Sequence, residues 1–360
     1  MGKLLDDYDF RGADLKQLPV VLLGFGKVGQ AFASLLEERQ GFKREGIELR
    51  LAGIFDRGGG VVGMALPLGE IMAAKRTSGT VASVPDLGCP GGRAGDALSS
   101  YPHAVLVDAS PTDPTSGEPG LSLIREALER GHSAVLASKG PLVSAFAELL
   151  DLAQRSKCRL GISAAVGSPL PSLETVHLSL RGSTLRGFRG IFSATANCVL
   201  SDMESGVSYQ GAVENARRAG ILEPDPRLDL EGWDTAFKVL ILARSFWSPT
   251  LPLEAARVEG ITGLAGSDVT RIRESGRKLR LVGTARKGPS GEVAIRVAPE
   301  PLAPADPLYP LGPAEKGAEF DSDLMGRFVV WSGKAGPWTT AATLAKDILN
   351  IAAHPTPLAL

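Results

Sequence analysis

Between residues 19 and 36 the chain reads as strand, tight turn and helix, a succession that few folds accommodate. The apolar run Pro19-Val-Val-Leu-Leu23 ends directly in Gly24-Phe25-Gly26-Lys27-Val28-Gly29. Apolar residues then recur at Val28, Ala31, Phe32, Leu35 and Leu36, the spacing of one helix face. Each glycine has a job in this reading: the first turns the chain, the second lets backbone approach a pyrophosphate, and the third lets helix lie close on strand. The helix N-terminus then faces the phosphates.

A spacing of glycines alone proves little in a chain with 43 of them, so the surroundings matter. Glu48 to Phe55 forms a second strand-like run closed by Asp56, whose carboxylate is placed for the hydroxyls of an adenosine ribose. Arg57 follows and could equally pair with a 2′-phosphate, leaving NAD and NADP both open. Residues Gly58 to Gly95 are rich in glycine and proline and read as an irregular surface excursion. Strand-like runs return at Ala104 to Val107 and Ser133 to Ala137, with helix-like stretches from Leu121 to Arg130 and from Pro141 to Arg155. Alternation of this kind predicts a parallel sheet of the Rossmann type with helices on both faces, an α/β arrangement. Ligands bind such sheets at the carboxyl ends of strands, where Asp108-Ala-Ser110-Pro-Thr112 and Ser138-Lys139 lie. Lys139 there is placed for chemistry or is a surface lysine opening a helix.

At 360 residues the chain exceeds the ~250–300 at which single cores stop growing, so two domains are expected. Apolar residues at 44% and charged residues at 22% are ordinary for a folded protein. With 39 basic against 40 acidic residues the net charge of -1 offers no field for nucleic acid or an anionic membrane, which points to a small-molecule partner. The densest basic stretch, Arg271, Arg273, Arg277, Lys278 and Arg280, is interleaved with Ile272, Leu279 and Leu281 and reads as the solvated face of a helix running into a strand. Cys89, Cys158 and Cys198 are dispersed, with neither disulfide nor zinc spacing. No metal site is expected. No run approaches ~18 apolar residues and the N-terminus has no apolar leader, so a cytoplasmic protein is expected.

The second half carries its chemistry in Glu223-Pro-Asp-Pro-Arg-Leu-Asp229-Leu-Glu-Gly232-Trp-Asp234-Thr-Ala-Phe-Lys238. The prolines stiffen a loop bearing carboxylates, and Gly232 lets a helix begin. Asp234 and Lys238 stand four apart on one helix face. Because Trp233, Phe237, Val239, Leu240 and Ile241 imply burial, this pair reads as more than a surface ion pair. A lysine oriented by a carboxylate can give a proton to a developing alkoxide. Neighbouring carboxylates could hold a substrate ammonium.

These residues resemble the homoserine dehydrogenase family over nearly the whole chain. The matching pieces are Gly24 to Gly29, Ala137-Ser-Lys-Gly140, Ala165-Val-Gly167, Glu223 through Lys238, and Gly333-Lys-Ala-Gly336-Pro-Trp-Thr-Thr-Ala-Ala342. The resemblance implies NAD(P)H-dependent reduction of L-aspartate 4-semialdehyde to L-homoserine, within the synthesis of threonine and methionine. It implies that Lys238 and Lys139 serve proton transfer beside Asp234, and that Glu223, Asp229 and Asn197 contact substrate. Gly24, Phe25, Gly26, Lys27, Val28 and Gly29, with Asp56, Arg57, Ser110, Ser138 and Gly336, would line the dinucleotide. It further implies a nucleotide-binding domain of residues 1–165 completed by 325–360, an α+β catalytic and dimerisation domain of residues 166–324, and a homodimer.

Three departures stand out. Ser163 replaces a usual glutamate and Pro169 a common glycine in what resembles the family's monovalent-cation loop, and Ala194-Thr-Ala-Asn197 replaces a Gly-Thr-Thr-Asn. These leave the identity of the semialdehyde open. Alternatives are a reductase of another amino-acid semialdehyde, an acylating semialdehyde dehydrogenase using Cys198 as thiolate, and a dinucleotide sensor without catalysis.

Overall fold

The computed structural model describes residues 16–222, 226–333 and 335–353. The chain divides into two compact units, one comprising the described residues within Met1–Pro141, Glu148–Ala164 and Pro337–Ala359. The other comprises Leu142–Ala147 and the described residues within Ala165–Gly336.

The first unit is built on seven strands: β1 (Lys16–Leu23), β2 (Ile47–Asp56), β3 (Gly59–Val62), β4 (Gly88–Pro90), β5 (Val105–Asp108), β6 (Ser133–Leu136) and β7 (Leu160–Gly161), in the order β4-β3-β2-β1-β5-β6-β7. From β2 to β7 through β1 the pairing is parallel. The helices that link these strands are α1 (Lys27–Glu38), α2 (Leu68–Ser78), α3 (Ala94–Ser100), α4 (Gly120–Glu129) and α5 (Gly140–Arg155). Val20, Leu22, Val105, Val107 and Val135 are all buried, as expected of a parallel sheet covered on both faces. α12 (Pro337–Ala353) returns to this unit, where Ala341, Leu344, Ala345 and Ile348 join Phe32 and Leu36 of α1 in one core.

The predicted irregular excursion from Gly58 to Gly95 is corrected. It contains the antiparallel strands β3 and β4, which extend the sheet beyond β2, and the helix α2. Strands of four and three residues are too short to show alternation, and their glycines mask them further.

The second unit carries β8 (Leu185–Ile191), β9 (Ala256–Val258), β10 (Lys278–Lys287), β11 (Val293–Leu302), β12 (Lys316–Ser322) and β13 (Gly326–Ser332), ordered β13-β12-β8-β10-β11-β9. All pairs are antiparallel except β9 with β11. Its helices are α6 (Ser172–Glu174), α7 (Ala194–Glu204), α8 (Tyr209–Arg218), α9 (Arg227–Leu230), α10 (Trp233–Phe246) and α11 (Gly266–Glu274). Ala196, Leu200 and Met203 of α7, Ala212 of α8, Ala236 of α10 and Val269 of α11 pack over Leu279 and Leu281 of β10. Residues 325–336 group with this unit, not with the first as the domain expectation had it, because β13 pairs along its length with β12.

The basic stretch does run from α11 into β10, but Arg280 is not solvated. It is 3% exposed and donates to Glu204 at 2.9 Å.

Candidate active site

The first unit supplies a cradle at the β1–α1 turn. Gly24 takes φ +94° and donates its N–H to the Phe55 carbonyl at 2.8 Å; a Cβ there would stand 2.4 Å from the Ala109 carbonyl oxygen. At Gly29 a Cβ would meet the Gly24 carbonyl oxygen at 2.0 Å, so only glycine allows α1 to begin so close to β1. Gly26 is different, because a Cβ there meets nothing within 4 Å. Gly26 is also the N-cap of α1 and contributes no side-chain capping bond. An open approach to the positive end of a helix is what a pyrophosphate needs, and the residues present fit a dinucleotide. Phe25 is buried beneath the turn, Val28 is half-buried and Lys27 is exposed.

At the carboxyl ends of β5 and β6, Asp108 is fully buried and draws Ser110 and Ser138 together. One carboxylate oxygen accepts from the Ser110 amide at 3.0 Å and the other accepts from the Ser138 hydroxyl. Burial pushes this carboxyl above its ordinary pKa, against the lowering effect of the serine bonds. Both serines are expected from the sequence, whereas Asp108 has no role there. Its one signal is an acidic residue ending a run of three buried aliphatic residues. Lys139 follows Ser138 as the N-cap of α5, its backbone N–H donating to Thr112 Oγ1 at 3.2 Å.

Asp56 departs from expectation. Its Oδ1 accepts from the Gly58 amide at 3.0 Å and Thr80 Oγ1 at 2.7 Å, and its Oδ2 accepts from Lys75 Nζ at 2.6 Å and the Val81 amide at 3.0 Å. Burial alone would raise its pKa, but those four donors outweigh it and hold the carboxyl below the ordinary range. The carboxylate therefore binds the segment after α2 to the end of β2, with its lone pairs already engaged. Arg57 is exposed in the β2–β3 turn. Gly336 directly precedes α12.

The second unit holds the acid cluster. Gly232, at φ +90°, starts α10, which is buried from Thr235 to Arg244. Lys238 is 9% exposed. Its Nζ donates to Asp234 Oδ2 at 2.5 Å and to the Phe192 carbonyl at 2.9 Å. The next residue, Ser193, donates its hydroxyl to Asp229 Oδ1 at 3.2 Å. The dipeptide Phe192-Ser193 after β8 is thus the common anchor of Lys238 and Asp229, and no sequence signal marks it.

Asn197 lies fully buried on α7. Its amide nitrogen donates to the carbonyl of Ser193, the N-cap of α7, at 3.1 Å, and its oxygen accepts from the Leu281 amide at 3.3 Å, so one end of the amide closes the first turn of α7 and the other ties that helix to β10. Glu223 lies outside the described residues.

The thiolate alternative finds little support. Cys198 donates to the Pro313 carbonyl at 3.4 Å, while His177, the sole histidine of this unit, bonds Ser245 at 3.1 Å. Among the described residues no group of three or more His, Cys, Asp or Glu could hold a metal ion, and no helix is long and apolar enough to cross a membrane.

Comparison with known proteins bears on the family. The family model described as Homoserine dehydrogenase matches residues 171–349. The chain is 33% identical to the NAD(+)-dependent homoserine dehydrogenase of Pseudomonas canavaninivorans over 349 residues, covering 94% of this chain and 97% of that protein. It is 30% identical to the homoserine dehydrogenase of Sulfurisphaera tokodaii, covering 92% and 98%. Among solved structures, a hyperthermophilic archaeal homoserine dehydrogenase in complex with NADPH matches with a TM-score of 0.80 at 25% identity, covering 96% of this chain and 100% of that one.

Proposed function

Because the chain belongs to the homoserine dehydrogenase family, we propose that it interconverts L-aspartate 4-semialdehyde and L-homoserine. It is an NAD(P)-dependent oxidoreductase acting on a CH–OH group. The observation that carries the assignment of substrate chemistry is Lys238, a buried ammonium held between Asp234 and the Phe192 carbonyl.

When bound, the dinucleotide supplies the hydride to the aldehyde carbon. Negative charge then grows on the aldehyde oxygen, where a fixed ammonium lowers the barrier because its dipolar surroundings are already in place. Of the three N–H groups of Lys238, one serves Asp234 and one serves Phe192; in this reading the third reaches the substrate oxygen and transfers the proton. Asp234 keeps that ammonium oriented. Lys139 assists at the same oxygen. Asp229 and Glu223 hold the substrate ammonium, while Gly24 through Gly29 take the pyrophosphate, with Ser110, Ser138 and Gly336 along the dinucleotide. Asn197 and Asp56 are reassigned from ligand contacts to holding α7 and the loop after α2.

We further place the reaction in the cytoplasm, in the branch of amino-acid synthesis leading to threonine and methionine, and carried out by a homodimer formed through the six-stranded sheet. Supporting the last point, edge strand β13 exposes Val329 and Trp331 at 40% and 55%.

The test is oxidation of L-homoserine by purified protein, followed as reduced-cofactor absorbance with NAD and NADP supplied separately. Turnover with either is the expected result. A protein that binds dinucleotide yet oxidises no homoserine overturns the proposal.

A further inference from the structure

Lys316, at the start of β12, is 8% exposed, and its Nζ donates to the Ser168 carbonyl at 2.7 Å and the Gly167 carbonyl at 3.3 Å. An ammonium taken out of water needs such partners, and a donor–acceptor length of 2.7 Å is that of a charge-assisted bond. Two consecutive carbonyl oxygens turned toward one cation form the kind of site in which carbonyl dipoles replace the hydration shell of a monovalent ion. The family resemblance implies a sodium or potassium ion for this very stretch. The residues present do not fit one: the glutamate position is Ser163, whose hydroxyl accepts from Lys346 Nζ at 3.0 Å, and the Gly167 and Ser168 carbonyls already face an ammonium.

We propose that the Lys316 ammonium is a covalently tethered monovalent cation for the Gly167-Ser168 carbonyls, and that the protein needs no dissolved sodium or potassium. The geometry also says what this cation positions. A Cβ at Gly167 would lie 3.5 Å from Phe192 Cδ1, so the loop rests against the ring of the residue whose carbonyl holds Lys238. From the other side, Gly317, next to Lys316, pairs with Ile191, next to Phe192. Lys316 is thus a positioning residue: it fixes the carbonyl loop that packs on Phe192, and it acts on Lys238 only through that contact. A tethered cation is present at every salt concentration, whereas a dissolved ion occupies its site in proportion to concentration over affinity.

The experiment is thermal unfolding of the full chain in potassium, sodium, ammonium and choline chlorides at equal ionic strength, for wild type and for Lys316→Ala. Choline is too large to enter a carbonyl site. The wild type is expected to unfold at one Tm, within about 1 °C, in all four salts. Lys316→Ala is expected to unfold lower in choline and to regain Tm saturably with ammonium or potassium. A saturable rise of the wild-type Tm with potassium or sodium over choline overturns the proposal, as does a folded Lys316→Ala whose Tm is the same in all four salts. Should that variant be unfolded throughout, Lys316→Met, which keeps the methylene stem, goes through the same series: a Tm regained with ammonium or potassium supports the proposal, and one Tm in all four salts overturns it.

A kinetic arm, which rests on the proposed reaction, measures homoserine oxidation in the same salts. The expected result is salt-independent kcat in the wild type and kcat restored by ammonium in the variant. Absence of turnover in every sample would count against the reaction alone, because the unfolding series decides the cation independently.

Discussion

Replacing Gly283 with alanine tests whether the close approach of α10 to the sheet sets the active-site geometry. A Cβ at residue 283 would stand 2.6 Å from Val239 Cγ2 and 2.8 Å from Thr235 Cγ2, both on α10. Ordinary contact begins near 3.4 Å, so the nearer pair must separate by roughly 0.8 Å. Rotation of the side chains relieves little of this, since β-branched residues in a helix strongly prefer their own rotamers. The helix itself must then lift. Lys238 lies between those two positions in sequence, and its 2.9 Å bond to Phe192 would lengthen toward 3.7 Å, past hydrogen-bonding range, if the full displacement reached it. Overpacking of this kind costs about 1–3 kcal/mol, and misplacing a reacting group by about 1 Å costs up to about 100-fold in rate. The expected outcome for Gly283→Ala is a Tm lowered by a few degrees together with a kcat for homoserine oxidation reduced about 10–100-fold, while dinucleotide Kd is unchanged. Adding Val239→Ala removes the nearest clash and should recover part of the lost kcat. Full wild-type kcat and Tm in Gly283→Ala would disprove the coupling, because the alanine would then have been accommodated without moving α10.

Lys238→Met should keep dinucleotide affinity and lower kcat by about 100–10,000-fold, the range for removing a general acid, measured by initial rates and cofactor titration; a kcat within threefold of wild type contradicts the assignment. Gly26→Val should weaken dinucleotide binding at least tenfold with little change in Tm, since a side chain there fills open space where phosphate would approach; unaltered Kd by fluorescence titration would remove the pyrophosphate from that turn. Asp56→Ala should cost about 2 kcal/mol near neutral pH through lost bonds to Lys75, Thr80, Gly58 and Val81, with dinucleotide Kd little changed. Because the folded carboxyl titrates below its ordinary 3.8, the unfolded chain binds more protons there, so the stabilisation is full above that value and lost as pH falls through the folded pKa. Denaturation midpoints of variant and wild type should therefore converge in acid; a constant gap at all pH values, or a large Kd effect, speaks against a structural role for Asp56.

The parts of the molecule that could be read from sequence are those whose information is local. The β1 strand, glycine turn and α1 lie within one stretch, and the i,i+4 pair of Asp234 and Lys238 follows from helix geometry alone. The parts that could not be read depend on distant partners. Phe192 meets Lys238 across 46 positions, and Ser193 meets Asp229 across 36, so no spacing rule connects them. Arg280 sits inside a basic run that looks solvated until Glu204, 76 residues earlier, is folded against it. Asp56 closes a strand where a ribose partner is expected, and only the path of the chain through α2 brings Lys75, Thr80 and Val81 onto it. In the same way Asp108 gains its meaning from Ser138, 30 residues on.

The anchoring of Lys238 and Asp229 to adjacent residues fixes a distance as well as two positions. With the roles proposed here, one group grips the amino end of the substrate and the other meets its carbonyl oxygen, and both hang from one peptide link at the end of β8. Neither can shift to suit a longer molecule without dragging the other. The arrangement works as a ruler for the carbon chain between amine and aldehyde, and a homologue one methylene longer must be bent to fit it.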